Sequence, residues 1–248
     1  MSGHSKWHNI KLRKQAQDAR KSKLFAKLSR EIMAAAREGG DPDTNNRLRI
    51  VVDKARTSGM PQDNVKRAIQ RGTGEIEGAQ FESIIYEGYA PGGVAIMAQV
   101  LTANRNRVVG DLRRIFSRSG GNLAESNAVA WLFHQKGVII VPQDDVSEDR
   151  VLEVALDAGA EDMQSDDSSF EIHTASADLQ AVRQALDGAG IPYESAELTM
   201  LPQTRVTLGE KEAQQVLRLM DALEELEDVQ QVYANFDIPD RIMEALAA

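Results

Sequence analysis

The sequence predicts an α+β protein of three domains: an N-terminal three-helix bundle and two α/β-sandwich domains, one ferredoxin-like and inserted in the other. Three observations lead to this prediction. The first 74 residues show only helical periodicity, and the chain after residue 138 alternates strand and helix patterns. Between them, a β-β-α-β run lacks a closing helix and strand, which appear only near the C-terminus.

The N-terminal part divides into a basic arm, residues 1–21, and a helical domain, residues 22–74. Apolar residues at helical spacing predict helices over 22–38, 45–58 and 61–72. Ser22 is a candidate N-cap for the first helix, glycines follow the first two helices, and the third stops at Gly72. The change of charge after Gly-Thr-Gly at 72–74 indicates a linker there.

The pattern of strands and helices in the rest of the chain predicts two α+β units, one continuous in sequence and one discontinuous. Residues 75–137 contain strands at 81–86, 94–102 and 129–133 and a helix at 107–118. Residues 138–203, which begin with a strand at 138–141 after Lys136-Gly137, follow the β-α-β-β-α-β order of the ferredoxin-like fold. Residues 204–248 supply the missing helix and strand. We therefore expect 75–137 and 204–248 to form a discontinuous domain with 138–203 inserted.

Charge is distributed unevenly along the chain. The net charge of −9 results from 29 Lys and Arg against 38 Asp and Glu. Residues 1–74 carry a net +10, residues 75–137 are neutral, and residues 138–248 carry −19. This polarity indicates a basic interaction module attached to an acidic body. A polyanion would repel the acidic body, which would orient the basic end toward it.

Composition and motifs exclude several classes. The chain has no cysteine, which excludes disulfides, thiol catalysis, iron–sulfur clusters and cysteine zinc sites. No apolar run approaches the roughly 18–20 residues of a membrane helix, and the first residues lack the apolar core of a secretory signal. We expect a cytoplasmic protein with no membrane partner, no cofactor and no bound metal. The Gly-rich segment 87–93 lacks the Gly-Lys-Ser/Thr of a phosphate-binding loop.

Basic side chains in the arm and along one face of the first helix are the candidate nucleic-acid-binding residues. Cations at this density suit a polyanion, because binding releases counterions from the phosphate backbone. Trp7 among them could stack on an exposed base or anchor the arm on the bundle. No helix-turn-helix, zinc-finger or RNA-recognition signature identifies a base-reading element. The full set is Lys6, Trp7, Lys11, Arg13, Lys14, Arg20, Lys21, Lys23, Lys27 and Arg30.

A second candidate site precedes the helix at 107–118. Arg105 and Arg107 lie where a strand ends and a helix begins, so their guanidinium groups and the helix amides could hold an anion. A capped turn with surface arginines explains the same pattern equally well.

Paired carboxylates offer an enzymatic alternative. Asp-Asp or Glu-containing pairs occur at 144–145, 166–167, 224–225 and 227–228, and such pairs can bind Mg²⁺ or perform acid–base chemistry. Only His134 and His173 lie outside the arm, and no catalytic motif accompanies the acidic pairs. We predict that the chain is not an enzyme, with a metal-dependent hydrolase with an acidic cleft as the weaker alternative.

Several motifs resemble one protein family. Gly3-His4-Ser5-Lys6-Trp7, Met60-Pro61, Arg71-Gly72-Thr73-Gly74, the segment 86–93 and Asn104-Arg105-Asn106-Arg107 resemble the YebC/PmpR family, to which the mitochondrial translational activator of cytochrome oxidase is related. The resemblance spans essentially the whole chain. It implies three domains, the third inserted in the second, which agrees with the pattern above.

The resemblance also implies a function in gene expression. It implies a DNA-binding transcriptional regulator or, alternatively, a ribosome-associated translation factor that binds ribosomal RNA and relieves stalling. The expected partners are therefore DNA or ribosomal RNA, with the ribosome in the second case. We expect a monomer.

Overall fold

A computed structural model of the chain describes residues 17–143, 146–165 and 168–247. Its helices are α1 (Gln17–Ala36), α2 (Asn46–Thr57), α3 (Gln62–Thr73), α4 (Arg105–Arg118), α5 (Glu148–Asp157), α6 (Leu179–Gly188), α7 (Glu210–Glu224) and α8 (Asp240–Ala247). Its strands are β1 (Glu82–Ala90), β2 (Val94–Thr102), β3 (Asn122–Leu123), β4 (Phe133–Pro142), β5 (Ala160–Ser165), β6 (Ser169–Ala175), β7 (Ser195–Pro202), β8 (Val206–Thr207), β9 (Val229–Ala234) and β10 (Phe236–Asp237). The predicted α+β class is confirmed.

Helices α1, α2 and α3 share one hydrophobic core, which includes Leu28, Ile32, Leu48 and Val52. Asn45 ties two of them together: its side chain accepts the Leu48 N–H at 3.0 Å and donates to the Ala35 carbonyl at 2.8 Å. Asn45 is therefore the N-cap of α2, and its side chain also hydrogen-bonds to the end of α1.

Close packing of α3 on α1 requires a glycine. A Cβ added at Gly72 would lie 2.5 Å from the main-chain oxygen of Met33 and 2.7 Å from the Cβ of Ala36. The two helix backbones meet here at a distance that no larger residue permits.

The first helix starts earlier than Ser22, so the predicted cap is wrong. Helix α1 already includes Gln17, and Ser22 lies inside it. The residues before Ser22 are Gln, Asp, Ala, Arg and Lys, several of which favour helices strongly enough to continue α1 past a serine.

The strand predicted at 129–133 is also wrong, whereas the strand predicted at 138–141 is confirmed as part of a longer strand. Residues 130–132 form a short 3₁₀ helix, and β4 then runs without interruption from Phe133 to Pro142. Gly137 lies inside β4. The position requires glycine, because a Cβ there would be 2.3 Å from the hydroxyl of Thr174. This glycine permits close packing and does not make a turn.

The middle unit is a four-stranded antiparallel sheet in the order β3-β1-β2-β9. Helices α4 and α7 contribute to the core with β1 and β2, around Ile96, Leu112, Phe116 and Leu219. The sheet thus combines strands from residues 82–123 with β9 from near the C-terminus. A short parallel pair, β8 and β10, lies beyond it.

The third unit is a four-stranded antiparallel sheet in the order β5-β6-β4-β7. Helices α5 and α6 pack on the sheet around Ile139, Ile172, Val182 and Leu186. A β-α-β-β-α-β chain with this strand order is the ferredoxin-like arrangement. Strand β4 crosses the predicted boundary between residues 137 and 138, and the predicted domain limits stay predictions. In the part of the chain that the structure describes, every helix is too short or too polar to span a membrane.

Acidic groups of the other two units influence Tyr233 of the middle sheet. Its side chain, on β9, is buried, and its hydroxyl donates a hydrogen bond to Gln231. Burial raises the pKa of Tyr233 to about 12, and the carboxylates of Glu197 on β7 and Glu31 on α1 add to the increase. The neutral phenol is therefore the form that the folded protein favours.

Tyr233→Phe should make the protein less sensitive to alkaline pH. Below pH 10 the phenol is neutral in both folded and unfolded chains, so its titration contributes no pH dependence. Between pH 10 and about 12 the unfolded chain ionises first, which lowers the free energy of unfolding of the unchanged protein by up to about 2 kcal/mol. Urea unfolding on both sides of pH 10 measures this. An equal decrease in the two proteins would contradict the assignment.

Candidate nucleic-acid interface

Half of the predicted binding residues lie in the arm, outside the described residues: Lys6, Trp7, Lys11, Arg13 and Lys14. Arg20 lies in α1, but its side chain is outside the described part, and Lys21 is exposed on the same helix. Their role in binding stays a prediction.

The other three predicted cations, Lys23, Lys27 and Arg30, form a line along α1 that we name the α1 stripe. They recur at intervals of four and three residues, which places them on one side of the helix. The stripe contacts residues 224–228, with the sequence Glu-Glu-Leu-Glu-Asp, which we name the acidic turn. This segment joins the last residue of α7 to β9.

Each cation of the α1 stripe has an acceptor in the acidic turn. The ammonium of Lys23 pairs with the carboxylate of Glu225. The ammonium of Lys27 donates to the main-chain oxygen of Glu224 at 3.1 Å.

Arg30 makes the most extensive of these contacts. Its Nη2 lies 2.7 Å from a carboxylate oxygen of Glu227, and its Nη1 donates to the main-chain oxygen of the same residue. The Arg30 guanidinium also lies over the ring of Phe81, 5.9 Å from the ring centroid, at a distance typical of a cation–π contact. The α1 stripe therefore faces the protein's own anionic groups.

Arg107 reaches the same acidic turn from α4. Its Nη2 lies 2.5 Å from a carboxylate oxygen of Asp228, whose side chain is only 5% exposed. Asn104 caps α4 by accepting the main-chain N–H of Arg107 at 3.0 Å. The structure thus shows the capped turn, with Arg107 ion-paired and Arg105 exposed. A role for these arginines in anion binding stays a prediction.

The acidic pairs considered for catalysis divide into two groups. Residues 144–145 and 166–167 lie outside the described residues. The pairs at 224–225 and 227–228 form the acidic turn and bond to basic side chains of this chain. Within the described ranges, no group of three or more His, Cys, Asp or Glu could hold a metal ion.

Sequence analysis missed a basic face on α3. Val65 and Ala68 point into the bundle, whereas Lys66, Arg67 and Arg71 are exposed. Among the described residues, these three cations make no ion pair with an acidic side chain, whereas Lys23 and Arg30 of the α1 stripe do. The spacing of Lys66, Arg67 and Arg71 around the apolar Val65 and Ala68 is the sequence signal for this face. The exposed face also carries the amide side chains of Asn64 and Gln70.

A four-residue turn, 58–61, connects α2 to α3. Gly59 adopts a left-handed conformation with φ of 77°, and Pro61 directly precedes the first residue of α3. Two helices joined by a turn of three or four residues containing glycine are typical of helix-turn-helix motifs. The connection between α2 and α3 has this length and contains a glycine, and the absence of a base-reading element stays a prediction. Arg71 also lines a cleft of about 350 Å³ together with Arg37 of α1.

The Gly-rich segment 87–93 holds the loop at residues 127–130 through hydrogen bonds of Glu87. Glu87 is buried, and its carboxylate accepts the main-chain N–H groups of Asn127 and Val129 at 2.6 Å each and of Ala130 at 2.8 Å. Gly88 permits the approach of Phe116, whose ring would lie 2.6 Å from an added Cβ. The segment thereby fixes the loop before β4.

Models of one protein family match both parts of the chain. The model of the N-terminal domain of TACO1/YebC proteins matches residues 5–75, and the model of their second and third domains matches residues 81–236. The chain belongs to the TACO1/YebC family. The resemblance seen in the sequence motifs is confirmed.

Relatives of this TACO1/YebC chain are similar over their full length. A protein of Syntrophobacter fumaroxidans is 53% identical and one of Rubrobacter xylanophilus is 55% identical, each aligned over 100% of both chains. Both are named "probable transcriptional regulatory protein", which supports a regulatory role for the family. The crystal structure of a conserved hypothetical protein from Aquifex aeolicus is 48% identical, with a TM-score of 0.80 over 90% of this chain and 93% of that chain.

Glu87→Ala should destabilise the protein by about 3 kcal/mol or more, because three buried or partly buried main-chain N–H groups lose their acceptor. Urea unfolding measures the change. Glu125→Ala provides a control, since Glu125 is exposed in the segment before the same loop. Similar effects of the two substitutions would contradict the role given to Glu87.

Proposed function

We propose that this chain is a non-enzymatic regulator of transcription that acts in the cytoplasm and binds duplex DNA through its N-terminal 74 residues. The net charge of +10 in this part and the regulatory names of its relatives support the proposal. The observation that carries it is the basic face of α3, because its cations are exposed and without acidic partners among the described residues.

The side chains on this face are of the types that bind DNA. Arg and Lys bind guanine edges or phosphates, and Asn and Gln bind adenine edges. Helix α3 presents Asn64, Arg67 and Gln70 from its first turn onward and Lys66 and Arg71 beside them. A helix of this composition suits the major groove of a duplex.

The position of α3 in the chain also supports this role. It follows α2 after a four-residue turn, as the recognition helix follows the first helix in helix-turn-helix proteins. The arm and its six cations at positions 6, 11, 13, 14, 20 and 21 would add phosphate contacts, which strengthen binding without reading sequence.

Replacing the three cations of α3 should weaken duplex binding and its salt dependence. For the triple variant Lys66→Gln, Arg67→Gln, Arg71→Gln, we expect the slope of log affinity against log salt to become shallower by about 2.7, if each cation neutralises one phosphate. Fluorescence anisotropy with a labelled duplex at several salt concentrations measures the slope.

The matched control removes three exposed cations elsewhere: Arg113→Gln, Arg118→Gln, Arg205→Gln. It changes the net charge equally but leaves α3 intact. Equal losses in the two triple variants would show that net charge, and not the α3 face, determines binding.

RNA is the alternative ligand, in a ribosome-associated translation factor. Trp7 supports this alternative, because an aromatic ring among cations suits the unstacked bases of single-stranded or looped RNA. A duplex gives such a ring no base to stack on unless a base step opens.

Trp7→Ala separates the two ligands. If Trp7 stacks on a base, its loss should weaken binding to a ribosomal RNA stem-loop by about 1–3 kcal/mol and leave duplex DNA binding unchanged. Trp131→Ala is the control, because Trp131 is the chain's other tryptophan and is 66% exposed. If Trp7→Ala does not weaken RNA binding, Trp7 does not stack on a base, and duplex DNA is favoured as the ligand.

A further inference from the structure

The acidic turn gathers cations that are distant in the sequence. Lys23 and Arg30 lie 202 and 197 residues before their acceptors, Glu225 and Glu227. The predicted nucleic-acid-binding residues of α1 are therefore bonded to another part of the same chain, which raises the question of what this contact does when a polyanion arrives.

The oxygens of the acidic turn resemble those of a phosphate backbone in chemistry. Two carboxylates and two main-chain carbonyls accept from the α1 stripe. The Glu224 carbonyl lies at the C-terminal end of α7, the negative pole of the helix dipole. Phosphodiester oxygens are acceptors of the same kind for Lys and Arg.

We propose that the acidic turn is an internal competitor that occupies the α1 stripe, and that nucleic-acid phosphates must displace it to bind there. This inference rests on the proposed function, since it requires that nucleic acid binds the N-terminal part. The α1 stripe is then a phosphate-binding site whose resident ligand is the end of α7. Because the two compete for the same cations, whatever strengthens the internal contact weakens binding of nucleic acid at the stripe.

Exposure of the ion pairs makes the exchange feasible. The side chains of Glu225 and Glu227 are 66% and 65% exposed, and that of Lys23 is 47% exposed. Ion pairs this exposed contribute little and are screened by salt. A nucleic acid presents many phosphates together and gains from counterion release, so it competes well for the same cations.

The side chain of Arg30 is held in place whether it binds the acidic turn or a phosphate. Its side chain is only 16% exposed, and the ring of Phe81 lies beside the guanidinium. Because Phe81 belongs to the segment before β1, this support does not depend on the acidic turn. The guanidinium therefore stays positioned when Glu227 leaves.

Two double variants break the same ion pairs from opposite sides. Glu225→Gln, Glu227→Gln removes the competitor and should tighten binding of a labelled DNA duplex by about 3- to 10-fold, as expected for two weak ion pairs. Lys23→Gln, Arg30→Gln removes the cations and should weaken it. Anisotropy measures the affinity, and thermal unfolding verifies that both variants fold.

A charge-matched control isolates the acidic turn from a general charge effect. Glu153→Gln, Asp157→Asn neutralises two exposed acids on α5. Tightening by the acidic-turn variant that does not exceed this control would overturn the proposal. If neither the unchanged protein nor any variant binds the duplex, the proposed function fails instead, which is a different result.

A distance measurement tests displacement directly. The chain has no cysteine, so Thr57→Cys on α2 and Arg218→Cys on α7 provide two unique positions for spin labels. Addition of the duplex should shift or broaden the distance distribution between the labels, and the acidic-turn variant should show part of this change without DNA. An unchanged distribution at saturating duplex would overturn displacement.

Discussion

The contact between the α1 stripe and the acidic turn joins the most basic and the most acidic parts of the chain. Three cations of the first helix meet carboxylates and carbonyls at the end of α7, and Arg107 binds Asp228 of the same turn. Cations from two units thus depend on one segment of five residues. The α1 stripe belongs to the part of the chain with net charge +10, and the acidic turn to the part with net charge −19. Together they form a specific interface inside the protein.

This interface changes which cations are available to a ligand. The sequence favoured the first helix as the binding surface, because its basic side chains lie opposite its apolar face. In the structure, those side chains face the acidic turn, whereas the cations of α3 are exposed and make no ion pair with an acidic side chain among the described residues. The two surfaces belong to different helices of one bundle.

Local patterns were sufficient for most of the fold. The helical spacing of Leu28 and Ile32 and the order of strands and helices after residue 138 depend on local sequence patterns, so the sequence predicted them. Predictions failed where contacts between distant residues override local preference. Gly137 was interpreted as a break, but its lack of a side chain accommodates the hydroxyl of Thr174 across the sheet. Glu87 gave no signal, because its three N–H partners lie about 40 residues away.

By itself, the sequence determined the α+β class, the concentration of positive charge before residue 75 and the family. These depend on periodicity, composition and motifs, which need no three-dimensional partner. Only the tertiary structure decided that Arg30 meets Glu227 and that Arg107 meets Asp228. The physical reason is that Coulomb attraction between side chains carries no information about sequence position. Any of the 38 acidic residues could neutralise any cation, and the packing of helices and sheets selects the pairs that form.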